Sequence, residues 1–117
     1  MKVYDIKDQQ GQVFAFEIKN FGLWLGRVSV RIIVSRIPSV KIIRAPYFFQ
    51  YFGDEEFCEF EVDGQRFIVW EPYNDSSVYW IGSKPTGWCE QLEIVRTTFL
   101  NYSQWGHLRQ KLISLLR

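Results

Sequence analysis

The stretch Trp70-Glu71-Pro72-Tyr73-Asn74-Asp75-Ser76-Ser77-Val78-Tyr79-Trp80-Ile81-Gly82 holds the densest set of chemically capable groups in this sequence. Glu71 and Asp75 flank one bend with Tyr73 between them, and Tyr79, Trp80 and Trp88 follow within reach. Two carboxylates beside aromatic rings suit two tasks. One is general acid–base work in an apolar pocket, where one carboxyl gives a proton and the other takes one. The other is binding of a cationic or polar ligand through ring faces and negative charge. A purely architectural role competes with both. Asp75 can accept from the backbone N–H groups of Ser76 and Ser77 and close its own turn. Glu71 can pair with a cation on a neighbouring strand, and Tyr79 and Trp80, as successive strand residues, must face opposite sides. Glu71, Tyr73, Asp75, Tyr79, Trp80 and Trp88 are therefore the candidate ligand- or partner-binding residues, and no residue is assigned as catalytic.

A second set is basic. Residues 21–53 contain Arg27, Arg31, Arg36, Lys41 and Arg44 and no acid, whereas residues 54–63 contain six acids and no base. Cations interleaved with Tyr47, Phe48 and Tyr51 are suitable for phosphate contacts and base stacking. The simpler reading places the acidic stretch beside the basic one, so that the two neutralise each other. Exposed pairs of that kind contribute about 0–1 kcal/mol each.

The remaining inventory excludes familiar chemistries. The one histidine, His107, and two separated cysteines, Cys58 and Cys89, cannot supply the usual ligands of a zinc site. A Ser-His-Asp or Cys-His arrangement would have to use His107. There is no GxSxG, GxGxxG or GxxxxGK[ST] pattern. No cofactor and no metal is expected, and the cysteines read as reduced, small apolar residues. The 117 residues carry 14 Lys and Arg against 13 Asp and Glu, for a net charge of +1. That total speaks against a generally basic nucleic-acid coat. The length suits one domain spanning residues 1–117, and no apolar run approaches the ~18 residues of a membrane span. A soluble, cytoplasmic protein is expected. Aromatic residues make up 18% of the chain, more than a core this small hides easily.

These side chains must be positioned by a sheet and helices. Strands are expected near 2–6, 13–19, 40–45, 57–62, 65–71 and 77–82. The hairpin around Asp63-Gly64, a preferred type I′ pair, sets Phe60 opposite Phe67, Cys58 opposite Val69, Phe57 opposite Trp70 and Glu61 opposite Arg66. Residues 21–37 fit two patterns equally. As a helix they carry one apolar stripe of Phe21, Trp24, Leu25, Val28 and Ile32 and a second of Leu23, Val30, Ile33, Val34 and Ile37. As a strand, Val28, Val30, Ile32 and Val34 alternate with Arg27, Ser29, Arg31 and Ile33. From Trp88 the period is helical, with Trp88, Leu92, Val95 and Phe99 on one face. Ser103 then caps a further helical stretch bearing Trp105, Leu108, Leu112 and Leu115.

The pattern VDGQRFIVWEPYNDSSVYWIG, preceded by AFEIKN and IPSVKIIRAP, resembles small bacterial proteins of unknown function found among mobile integron gene cassettes. The likeness covers about residues 13–100. It implies that the stretch before IPSV is helical, and it brings no activity with it. The expectation is thus an α+β domain, an antiparallel sheet packed by one helix near 21–36 and two C-terminal helices. The leading functional expectation is a non-enzymatic binding or adaptor protein, acting on another protein in an immunity-like role or on a small ligand through an aromatic sheet face. A small enzyme using Glu71 and Asp75 is the alternative, and nucleic-acid binding through 27–44 a lesser one. A homodimer is expected, because two apolar stripes on 21–37 exceed what one small core needs.

Overall fold

The computed structural model describes residues 1–19, 26–45, 56–73, 78–103, 112, 113, 115 and 116. The elements run β1 (Tyr4–Lys7), β2 (Val13–Lys19), α1 (Arg27–Val34), β3 (Val40–Arg44), β4 (Glu56–Val62), β5 (Gln65–Trp70), β6 (Val78–Ser83) and α2 (Glu90–Asn101). The strands form one six-stranded antiparallel sheet in the order β1-β2-β6-β5-β4-β3. The fold is α+β, and all six expected strands are present close to their expected bounds. Both helices lie on one face. Phe99 of α2 meets Phe16 of β2 edge to face at 5.3 Å, and α1 packs beside α2 and over β4. The core between sheet and helices includes Phe16, Phe60, Phe67, Tyr79 and Phe99.

The β4–β5 hairpin forms as its turn dictates. Asp63 and Gly64 both have positive φ, 48° and 81°, as a type I′ turn requires. Phe60 faces Phe67, Cys58 faces Val69 and Glu61 faces Arg66. The expected pair of Phe57 with Trp70 does not form. Trp70 faces Glu56 instead, and the register shifts between Glu56 and Cys58, leaving Phe57 as an extra residue in β4. A bulge of this kind re-aims a side chain. Here it moves the Phe57 ring from the far side of the sheet into the core, where it meets Tyr79 edge to face at 5.2 Å. Burying an aromatic ring outweighs one disrupted ladder position.

Residues 27–34 are helical. Ser29, Val30, Ile33 and Val34 are buried, the spacing of one helix face. The β-branched residues cost at most about 0.7 kcal/mol each in helix propensity. Covering the sheet returns about 1.5–3 kcal/mol for each fully buried Val or Ile, so packing decides. Gly26, at φ 56° and ψ −121°, turns the chain into the helix in a conformation L side chains rarely adopt. Of the expected helix near 21–36, residues 21–25 lie outside the described residues. In the first stripe Val28 and Ile32 are half-buried, and the described residues of the second stripe, Val30, Ile33, Val34 and Ile37, are all buried. The described part of this segment therefore offers no second bare stripe to a partner.

Two further expectations are corrected. Trp88 does not lie on the α2 face. The helix begins after Cys89, so Leu92, Val95 and Phe99 are buried while Trp88 precedes the first turn and is half exposed. Two C-terminal helices were expected, whereas the helical elements of the described residues are α1 and α2, of which only α2 follows the sheet. Tyr102 turns to φ −71° and ψ 134° and ends α2. Of the further helix expected from Ser103 through Leu115, residues 104–111 and 114 lie outside the described residues; residues 112, 113 and 115 are helical, and the Leu116 N–H donates to the Leu112 and Ile113 carbonyls. At the end of α2 the Met1 ammonium donates to the carbonyls of Leu100 and Tyr102 at 2.9 and 3.0 Å, where the helix dipole favours a cation. Arg96 of α2 grips Asp5 of β1 with two hydrogen bonds of 2.6 and 3.0 Å. Among the described residues no helix is long and apolar enough to cross a membrane.

Candidate functional site

Alternation along β5 and β6 divides the candidate residues between the two faces of the sheet. Trp70 and Trp80 are cross-strand partners on the face away from the helices. Tyr79 and Glu71, one residue along in each case, fall on the helix side and are buried.

On the helix side, Glu71 is only 2% exposed. Its Oε1 accepts a 2.6 Å hydrogen bond from Nε of Arg27, the first residue of α1. The Arg27 guanidinium also lies over the Phe57 ring, 4.5 Å from its centroid. The bulge in β4, the start of α1 and the end of β5 thus meet at one buried ion pair. The Tyr79 hydroxyl is pushed up to about 12, chiefly by burial and then by the negative charge of Glu71, with Arg27 acting the other way. At neutral pH this phenol is a proton-bearing donor. A buried carboxylate engaged by a guanidinium is poorly placed to exchange protons with a substrate. The cluster has the chemistry of a clamp between α1 and the sheet.

The second carboxylate of the expected acid–base pair, Asp75, lies outside the described residues. Among the described residues no three His, Cys, Asp or Glu side chains converge as metal ligands do.

On the open side, Trp80 is the centre of an aromatic cluster. Its ring meets Trp70 edge to face with centroids 5.6 Å apart, and Tyr73 in the same manner at 6.5 Å. Tyr73 is 61% exposed. Trp80 Nε1 donates to Glu17 Oε2 at 3.0 Å, and Lys19 Nζ sits 3.2 Å from the other oxygen of the same carboxylate. Lys19 also lies over the Tyr4 ring at 5.4 Å. Beneath the tryptophans, β2 and β6 carry the small pair Ala15 and Gly82. A Cβ at Gly82 would stand 3.1 Å from the Ala15 Cβ and 3.6 Å from the Trp70 ring edge, so the indole lies down where only glycine leaves room. The result is a surface of ring faces with a fixed carboxylate and an ammonium at its edge. Trp88 makes no ring contact with this cluster.

The basic residues do not form one surface. Arg27 is in the buried pair, and Arg31 is half-buried on α1. Exposed Arg36 lies 5.2 Å over the Tyr102 ring. Lys41 and Arg44 are exposed on β3 but stand opposite Glu61 and Glu59 of β4. Glu59 also lies 3.8 Å from both Arg66 and Lys84, and Glu56 is 3.5 Å from Lys84. The basic and acidic stretches are adjacent strands that interleave their charges. Cys58 and Cys89 are both free. Burial pushes the Cys58 thiol up to about 12 despite the positive charges of Arg44 and Arg31, which leaves it unreactive.

Sequence reasoning did not find Arg27 as the partner of Glu71, nor Glu17 and Lys19 as the polar edge of the aromatic face. The first depends on the bulge and on where α1 lands. The second depends on β2 pairing with β6, a neighbour distant in sequence. The visible signal was the pair of charges, Glu17 and Lys19, on the solvent-side positions of an otherwise apolar strand. Comparison with protein-family models, curated proteins and solved structures gives no match to this chain.

Proposed function

We propose that this protein is a binding module without chemistry of its own, and that its contact surface is the open sheet face built around Trp80. The observation that carries this reading is the cluster of Trp70, Trp80 and Tyr73 joined to Glu17, on a face that neither helix covers. Half-exposed, mutually braced rings with satisfied polar neighbours are the composition of recognition surfaces, where large rigid side chains contribute contact area at low entropic cost. The carboxylate-pair enzyme is less well supported, because Glu71 is taken up by Arg27 beneath the helix. Nucleic-acid binding is less well supported too, because Lys41 and Arg44 face acidic partners across β3 and β4. We place the protein in the cytoplasm, where two free cysteines are the usual state. The likeness to integron-cassette proteins belongs to the proposal as a statement of origin alone.

The test is comparative capture from host lysate with three baits: the natural chain, Tyr73→Ala/Trp80→Ala, and Trp88→Ala. Mass spectrometry reads the retained proteins and small molecules. Species held by the natural chain and by Trp88→Ala but lost with the double variant are expected. Identical retention by all three folded baits would remove the reading.

A further inference from the structure

One cross-strand row runs over five strands on the open face of the sheet. Tyr4 stands opposite Glu17, Glu17 opposite Trp80, Trp80 opposite Trp70, and Trp70 opposite Glu56. The two indoles are therefore bracketed by carboxylates on neighbouring strands. The faces of aromatic rings carry negative potential. The hydrogen bond from Trp80 Nε1 to Glu17 Oε2 polarises the indole and makes its face more electron-rich. Rings and acids in one row attract a cation.

We propose that this row seats an arginine side chain of a partner, with its guanidinium over the Trp80 ring and bonded to Glu17 Oε1. The inference rests on the Trp80 face being the contact surface and names the group recognised there. Three observations select a guanidinium. The first is charge complementarity, since the immediate cross-strand neighbours of both tryptophans outside the pair are acids. The second is position. Glu17 is held at the rim of the ring by the indole N–H, where a planar cation stacked on that ring can also present its N–H groups to the carboxylate. The third is that the chain builds the same arrangement in its core, where the Arg27 guanidinium lies 4.5 Å over the Phe57 ring and bonds Glu71 at 2.6 Å. The cations beside the two acids of the row are lysines, Lys19 at 3.2 Å and Lys84 at 3.5 Å, with side chains 37% and 50% exposed. Exposed lysine pairs of this kind add little. Lys19 already lies over the Tyr4 ring, a contact it can keep when an arginine takes its place on Glu17.

The indole N–H resonances of the full chain test this by NMR titration. The probe is Nα-acetyl-arginine amide, and its uncharged isostere Nα-acetyl-citrulline amide is the control. A saturable shift of the Trp80 N–H is expected with a dissociation constant of about 1 mM, weakening as salt rises, with the Trp88 N–H unmoved. Citrulline amide is expected to bind about tenfold more weakly or less. Glu17→Gln keeps an acceptor for the indole and removes the charge; it is expected to weaken the arginine probe about tenfold. Lys19→Met removes the competing cation and is expected to tighten it about threefold. Equal binding of the two probes, full binding by Glu17→Gln, or no gain with Lys19→Met would each overturn the proposal. Trp80-dependent capture from lysate without any response to the arginine probe overturns it and leaves the contact surface standing. Identical capture by all baits removes both.

Discussion

At the scale of single residues, the most consequential pairing is Arg27 with Glu71. Each side chain is largely withdrawn from water, 18% and 3% exposed, so removing the Glu71 carboxylate leaves the Arg27 charge largely buried without it. Glu71→Gln is expected to lower the unfolding free energy by about 3–5 kcal/mol, whereas Arg27→Met/Glu71→Leu together cost far less than the sum of the single changes. Urea titrations of the natural chain, Glu71→Gln, Arg27→Met, Glu71→Leu and the double variant measure both. A small effect of Glu71→Gln would point instead to a carboxylate kept for binding. Tyr79 and Cys58 set the alkaline limit. Both are raised to about 12 in the folded chain, from 10.0 and 9.0, mainly by burial. The unfolded chain therefore releases these protons at lower pH than the folded one. Their contribution is intact below pH 9 and is lost as pH rises toward 12. Tyr79→Phe is expected to flatten the decline between pH 10 and 12, measured by urea unfolding at a series of pH values. Glu71 was a candidate in the sequence because of its neighbours. Its actual role depends on which cation reaches it, and no local pattern specifies that.

At the scale of elements, the β2–β6 seam controls how Trp70 lies. Gly82→Ala puts a methyl group 3.1 Å from Ala15 Cβ and against the indole. The expected cost is about 1–3 kcal/mol, with a shift in tryptophan emission as Trp70 lifts. Ala15→Gly in the same chain should recover much of the loss, since it removes the closest obstacle. If the single change is neutral in thermal melts, the ring does not depend on the glycine. The hairpin was legible down to three of its four cross-strand pairs, because a type I′ turn fixes register from its own two residues. The fourth pair failed at Phe57. A bulge answers to what the ring can bury against, here Tyr79 and Arg27, and those arrive from elsewhere in the chain.

At the scale of the whole molecule, one sheet joins both ends of the chain. The N-terminal hairpin β1–β2 is bonded to β6, which follows β5, and α2 is tied to β1 through Arg96 and Asp5. No subset of strands closes a core alone, so unfolding should be a single cooperative event. Far-ultraviolet circular dichroism and tryptophan fluorescence are expected to give coincident urea transitions at fixed protein concentration. Separate midpoints would show two units. The near-neutral total conceals a local arrangement of the same kind, in which basic β3 lies against acidic β4.

The sequence by itself determined the strand set, the tight hairpin and the α+β class, because alternation, turn chemistry and periodicity act between residues close along the chain. Helix rather than strand at 27–34, the burial of Glu71 and the assembly of the Trp80 face were decided only in three dimensions. Each depends on a partner remote in the chain, and what a side chain gains from burial is set by the neighbours it meets.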